Sequence, residues 1–408
     1  FFGLLTAYIV PGLFAREPWS LEDASAFGVM WTMAHGGAAE WWLPSVVGEP
    51  LPEEGPLPFW IGALLIRLFG GIFGDIVAAR LVTVLWFFIA TISLWYATYR
   101  LARRPEAQPV AFAFGGEANP RDYGRTLADI AVLLMLATIG IVLRMHETIA
   151  ETALFAFVAM LLLALAVSLE DPWKGTVGAA VALAAIALTR GLLPAAALMI
   201  ASLIFVLSFG RHRVLRAIVF VAIAAGLFAS WPLAAHRATP QAVLYFDAWW
   251  AWNARELHGP SISNVMWFVR NVGWYTWPLW PFALWTLYSW RSFWRRPHVL
   301  LPLLIAIAAI AALLIVADPS DRELIAAVPA LVVLGAFSVS TLRRAADNAI
   351  DWFSLALFTL ALLAIWVYFG AWNAGVPPKM AESVARLVPG LDASAPIVAT
   401  TIAIIATA

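Results

Sequence analysis

Eleven apolar runs, at about 76–98, 127–143, 149–168, 176–189, 192–208, 216–234, 271–290, 298–317, 324–341, 351–370 and 393–408, constrain this chain more than anything else in it. A helix rises about 1.5 Å per residue and the hydrocarbon core of a bilayer is about 30 Å thick, so roughly 20 apolar residues cross it. Phe1 to Phe14 is apolar but shorter, as expected of a first helix whose start is missing, and brings the number of spans to about twelve. The sequence opens on Phe and closes inside an apolar run at Ala408, so a lost N-terminal start and a C-terminal extension are both expected. With 63% hydrophobic residues, 12% charged residues and a mean hydropathy of +0.85, the reading is an all-α polytopic membrane protein, residues 1–408 forming a single transmembrane domain.

Charge removes several function classes. The formal net charge is zero and no Lys/Arg-rich run occurs, so nucleic acid is not an expected partner. Cysteine is absent, which excludes disulfides, thiolate metal sites and cysteine nucleophiles.

The polar connections sort by sign. Arginines crowd 99–126 (Arg100, Arg103, Arg104, Arg121, Arg125), 209–216 (Arg211, Arg213, Arg216) and 291–297 (Arg291, Arg295, Arg296), with Arg343 and Arg344 after the tenth span. That excess marks one side as cytoplasmic. The first loop, 15–60, then lies outside, together with 144–151, Arg190-Gly191, 235–270, 318–323 and 371–392.

The first loop is acidic. Between Arg16 and Trp60 it carries Glu17, Glu22, Asp23, Glu40, Glu49, Glu53 and Glu54, seven of the chain's 25 carboxylates. Such groups beside a bilayer need water, a cation or a substrate. Ser20 followed by Asp23 reads as an N-cap, predicting a juxtamembrane helix over 21–35, and 57–69 reads as an interfacial helix ending at Gly70-Gly71 despite Arg67. Glu22 and Asp23 either complement the helix dipole or provide a carboxylate that takes a proton from an attacking hydroxyl, and sequence does not separate the two acids.

Further outside, Arg144, His146, Glu147 and Glu151 precede a span, with Glu147 and Glu151 four apart on one helical face. Arg190, Arg255 and Arg270 are guanidiniums suited to bidentate contact with phosphate. Trp249, Trp250 and Trp267 read as an interfacial aromatic belt, and Asp321-Arg322-Glu323 as a cluster that satisfies itself.

The order Glu22-Asp23, Met33, Trp42-Leu43-Pro44, Gly48, Pro56-Leu57-Pro58-Phe59-Trp60, Phe69-Gly70 and Ala79-Arg80-Leu81 resembles the first loop of the GT-C type glycosyltransferases that use lipid-linked sugars, the family of the aminoarabinose transferase of lipid A and the protein O-mannosyltransferases. Downstream, Arg144 to Glu151 with Leu154, Thr189-Arg190-Gly191, Tyr275 to Pro281 and Asp321-Arg322-Glu323 before Pro329 continue the resemblance over nearly the whole chain. It departs at the acidic pair, reversed to Glu22-Asp23, and where the family's Lys-Pro-Pro-Leu falls on Glu54-Gly55-Pro56-Leu57. A glutamate there repels a phosphate that a lysine would attract.

The resemblance implies transfer of a sugar from a polyprenyl-phosphate carrier to an acceptor (lipid, glycan or protein) at the periplasmic face of a bacterial inner membrane. It implies Glu22, Asp23 and Glu151 as catalytic residues, and Arg144, His146, Arg190, Arg255, Arg270, Glu53 and Glu54 around substrate and phosphate. No cofactor and no dedicated metal site are expected, although a divalent cation could neutralise Glu53 and Glu54. Two other readings stand beside it: a non-catalytic GT-C-like membrane subunit with a protein partner, and a transporter or flippase using the same acids.

Overall fold

A computed structural model describes residues 2–14, 17–108, 118–342, 344–387, 400–401 and 404–405. Most of the run at 393–408, and Arg16 and Arg343, lie outside the described residues. The chain divides into two compact units, Phe1–Thr341 and Leu342–Ala408.

The first unit opens with α1 (Phe2–Ile9), α2 (Leu21–His35) and α3 (Ala38–Trp42). A small antiparallel hairpin follows, β1 (Ser45–Val46) on β2 (Glu49–Pro50), with Ser45 opposite Pro50 and Val46 opposite Glu49. Then come α4 (Leu57–Phe73), α5 (Asp75–Ala102), α6 (Pro120–Ala137), α7 (Ile139–Arg144), α8 (Ala150–Val167), α9 (Pro172–Arg190), α10 (Leu192–Ser208) and α11 (Arg213–Ala238). The unit closes with α12 (Ala242–Glu256), α13 (Ile262–Tyr275), α14 (Leu279–Ser289), α15 (Pro297–Ile315), α16 (Asp321–Leu324) and α17 (Val328–Val339). The second unit contains α18 (Arg344–Ala374) and α19 (Pro378–Leu387).

Seven segments among the described residues are long and apolar enough to cross a bilayer: α5, α8, α9, α11, α15, the stretch Asp321–Val339 that joins α16 to α17, and Asp351–Ala374 within α18. The chain is an integral membrane protein. Its core is built on α8, which is apolar all round, buried for most of its length, and packed between α5 and α9. Around that centre α4 packs on α5, α6 on α5, α11 on α9, α15 on α10 and α17 on α14.

Two predicted spans are broken helices. The run at 271–290 is α13 and α14, separated at a cis Trp277-Pro278 bond, and proline supplies no N–H to continue a helix. The run at 127–143 breaks at Thr138, whose Oγ1 donates back to the Leu134 carbonyl at 2.7 Å. The next amide, Ile139 N–H, donates to Trp277 O at 2.9 Å, so each interruption satisfies the other's backbone. The helix expected to stop at Gly70-Gly71 continues to Phe73, because glycine inside a helix costs only about 1 kcal/mol. It ends before Gly74, whose φ of +84° turns the chain into α5. Arg67 on α4 is accommodated by donating to Ala34 O at 2.8 Å and Met33 O at 3.1 Å at the end of α2, with its guanidinium over Trp41.

The stretch 235–270 contains the end of α11, all of α12 and the start of α13 rather than loop alone. Trp249 does not belong to a surface belt. It is 2% exposed and packs edge-on to Trp231 in an aromatic cluster with Phe228 and Phe246, whereas Trp250 beside it is 57% exposed.

Candidate functional site

The start of α2 decides how the acidic pair is used. Ser20 Oγ accepts the Asp23 amide at 3.1 Å, the predicted cap, and this sets the helix phase. Neighbouring residues on a helix with about 3.6 residues per turn point some 100° apart, so Glu22 and Asp23 cannot share a target. Asp23 turns inward and is 1% exposed. Its Oδ1 accepts Thr148 N–H at 2.9 Å and its Oδ2 lies 3.4 Å from Arg80 Nη2 on α5. Glu22 turns toward a polar hollow shared with Ser25, Glu53, Glu54, Glu151 and Arg322.

Three arginines organise that region. Arg144, at the end of α7, contacts Glu22, lies 3.1 Å from Glu147 and 2.6 Å from Asp321. Arg322 on α16 is 2.5 Å from Glu22 and 3.5 Å from Glu151. Arg190, the last residue of α9, is 3.1 Å from Glu54, 3.2 Å from Glu323 and 3.8 Å from Glu151. The triplet Asp321-Arg322-Glu323 therefore does not satisfy itself. Each of its side chains pairs with a different element, while Ser320 and Glu323 form a capping box.

Three guanidiniums thus face six carboxylates, and every guanidinium is engaged. For Glu22, burial pushes the carboxyl up, but the hydrogen bonds and charges of Arg322 and Arg144 outweigh it and hold the group below the ordinary carboxylate range. Glu54 behaves oppositely. Burial pushes it up to about 8 against the pull of Arg190, with Glu151 and Glu53 adding repulsion. Its Oε1 faces Arg190, and its Oε2 is buried without a hydrogen-bond partner. Burial also raises Glu147, against a hydrogen bond from Ser20 and the charge of Arg144.

The sign of the Glu54 shift gives a stability prediction. Between its ordinary 4.5 and about 8, the folded protein keeps a proton that the unfolded chain loses, so stability falls as pH rises through that window. Glu54→Gln should flatten this part of the profile. Thermal unfolding of detergent-solubilised protein at pH 5 and pH 8 measures it; equal slopes for the variant and the parent would contradict the assignment.

The polar hollow holds about 50 Å³, room for a few waters rather than a sugar. Its roof is 51–54, pinned by Tyr245 Oη on the carbonyls of Leu51 and Glu54 at 3.2 and 3.4 Å. Gly55 N–H donates to Thr189 O at 3.0 Å, and an added Cβ there would lie 2.0 Å from Leu188 O, so the roof meets α9 at a place only glycine fits. Behind Arg190 a second, mostly apolar hollow of about 30 Å³ is lined by Leu154, Leu193, Leu198, Trp252 and Ala309, with Glu256 and Glu323 at its polar end. Arg190 and Glu323 stand where the two hollows approach each other.

Glu22, Glu151, Glu53, Glu54, Arg144 and Arg190 are brought together in this way. Asp23 sits next to them as a buried tie between α2, α5 and the α7–α8 corner. His146 lies elsewhere, its ring nitrogens 2.5 Å from Val142 O and 2.7 Å from Tyr8 O. Arg255 and Arg270 are exposed and form no ion pair among the described residues. Among those residues no group of three or more His, Asp or Glu side chains could hold a metal ion. The sequence gives no sign that Arg322 and Glu323 join this cluster of ion pairs, nor that the partner of Arg80 is Asp23. An arginine inside an apolar run needs a counter-charge, and that was the available signal for Arg80.

No family profile matches the chain, and no curated protein does. Its structure is similar to the crystal structure of ArnT from Cupriavidus metallidurans bound to undecaprenyl phosphate, with a TM-score of 0.63 and 16% identity over 91% of this chain and 64% of that one. The apo state of the same protein matches with a TM-score of 0.63 and 17% identity, covering 90% and 63%. This chain thus spans less than two thirds of ArnT. At these identities the likeness is one of fold, and the fold is GT-C.

Proposed function

We propose that this chain, an integral membrane protein with the GT-C fold, transfers a sugar from a polyprenyl-phosphate carrier to a hydroxyl acceptor at the outer face of a bacterial inner membrane. The observation that carries the reading is convergence: Glu22, Glu151 and Arg322 from three separate segments face one hollow, and Arg190 stands between it and an apolar one. The fold neighbour ArnT is described as bound to undecaprenyl phosphate, a ligand of the proposed class.

The chemistry follows from the charges. The acceptor hydroxyl forms a bond to the anomeric carbon and passes its proton to the Glu22 carboxylate. The bond from that carbon to the phosphate oxygen breaks, and the carrier phosphate leaves with an added negative charge that Arg190 and Arg322 offset. A phosphate arriving here finds no spare guanidinium, so it must exchange with a carboxylate. When it takes Arg322 from Glu22, Glu22 loses one of the two guanidiniums that depress its basicity, which couples donor binding to activation of the base. A protonated Glu54 lowers the repulsion that an ionised carboxylate would exert, reconciling glutamate at this position with an anionic ligand.

The direct test uses the full chain in liposomes with radiolabelled sugar on polyprenyl phosphate and a mixed extract of membrane acceptors. Label should move to an acceptor fraction, and free polyprenyl phosphate should accumulate in step. Carrier binding with no transfer to any acceptor would overturn the transfer reading, and the absence of carrier binding together with a stoichiometric protein partner on purification would replace it with the non-catalytic subunit.

A further inference from the structure

The face of α2 opposite Glu22 borders a larger concavity. At about 3.6 residues per turn, Glu22, Ser25, Ala26 and Val29 share the face toward the polar hollow, while Phe27 and Trp31 lie on the other side. There they line a hollow of about 630 Å³ with Phe73 and Asp75 from the α4–α5 corner, Glu17 ahead of α2, and Arg80 from α5. The Asp75 carboxylate is held in place by Trp31 Nε1 at 3.1 Å and lies 3.6 Å from His35 Nε2. Trp31 is 46% exposed and Phe73 56%, and just beyond them Leu68 and Ile72 on α4 are 66% and 72% exposed. Such a run of uncovered apolar side chains on an integral membrane protein is a surface for acyl chains.

We propose that this hollow binds a phospholipid with a primary-amine head group. Aromatic faces beside two carboxylates suit an ammonium, through cation–π attraction and charge-assisted hydrogen bonds. Glu17 and Asp75 supply the negative charge, and Phe27, Trp31 and Phe73 the rings. Arg80, 2% exposed and paired with Asp23, closes the inner wall of the hollow. The acyl chains extend along Leu68 and Ile72. Because Asp23 and Arg80 join this hollow to the helix that presents Glu22, an occupant here would also brace α2 from behind. The inference is independent of the proposed reaction, and its test needs no enzymatic activity.

The full chain is placed in nanodiscs containing equal amounts of phosphatidylethanolamine, phosphatidylcholine and phosphatidylglycerol. Lipid retained after transfer to mild detergent is counted by native mass spectrometry. The parent should enrich phosphatidylethanolamine about tenfold over phosphatidylglycerol, the scale of one charge-assisted hydrogen bond. Asp75→Asn and Trp31→Ala should each abolish the enrichment, while Trp31→Phe, which keeps an aromatic face, should retain part of it. Circular dichroism of each variant checks that the fold survives, and should Asp75→Asn fail to fold, Glu17→Gln and the parent's own lipid preference decide the matter. Equal retention of the three lipids by the parent, preference for phosphatidylglycerol, or unchanged enrichment in folded Trp31→Ala would each overturn the proposal.

Discussion

Glu22→Gln should lower sugar transfer by about 10²- to 10⁴-fold, the range for a general base, while carrier binding holds or tightens, because the phosphate no longer displaces an ionised carboxylate from Arg322. Glutamine keeps the size of the side chain and an oxygen for Arg144 and Arg322, but it cannot take the acceptor's proton. Asp23→Asn should behave differently although it is the adjacent residue. The Asp23 carboxylate accepts Thr148 N–H and pairs with Arg80 away from the polar hollow, so its loss takes one carboxylate from a buried arginine and shows mainly as lowered thermal stability. Transfer rate and melting temperature, measured on both variants, separate the roles. If Asp23→Asn abolished transfer at unchanged stability while Glu22→Gln stayed active, the base would have been assigned to the wrong acid.

Arg190→Met should destabilise the protein by about 3–5 kcal/mol, the cost of leaving buried charge without its counter-ion. Arg190 is the shared cation of Glu54, Glu151 and Glu323, and the three come from the first loop, α8 and α16. Removing it leaves Glu151 and Glu323 without the cation they share, beside a Glu54 that already keeps its proton at neutral pH. The Glu323→Gln/Arg190→Met double variant should recover part of the loss, because one of the carboxylates left without a counter-ion goes with the cation. Denaturation of the detergent-solubilised variants reads this directly. A parent-like midpoint for Arg190→Met would mean that Glu151 and Glu323 do not depend on Arg190 for their charge compensation. In the transfer assay the same variant should also bind carrier more weakly, since Arg190 is one of the two guanidiniums placed for its phosphate.

Much of this was visible in the residues. Hydropathy alone reveals a polytopic bundle, because no other fold buries so many uninterrupted apolar runs, and Ser20 with Asp23 marks the start of α2. Leucine and alanine runs carry no information on continuity, however. The breaks at Thr138 and Trp277-Pro278 exist because two interrupted helices exchange a backbone hydrogen bond across more than a hundred residues of sequence. Arginines in outer loops were equally ambiguous: Arg144 and Arg190 enter the site, whereas Arg255 and Arg270 lie on an exposed face.

By itself the sequence determined the class of solvent this chain lives in, that its apolar runs are helical, and that its first loop holds an excess of carboxylates over what a lipid surface tolerates unpaired. Those properties depend on residue type and spacing along the chain. Only the tertiary structure decided that Glu22 faces the hollow while Asp23 is a strut, and that Arg322, 300 positions away, completes the site. A one-residue step turns a helical side chain by about 100°, and partners meet through packing of distant helices, so neither choice is encoded in any local pattern.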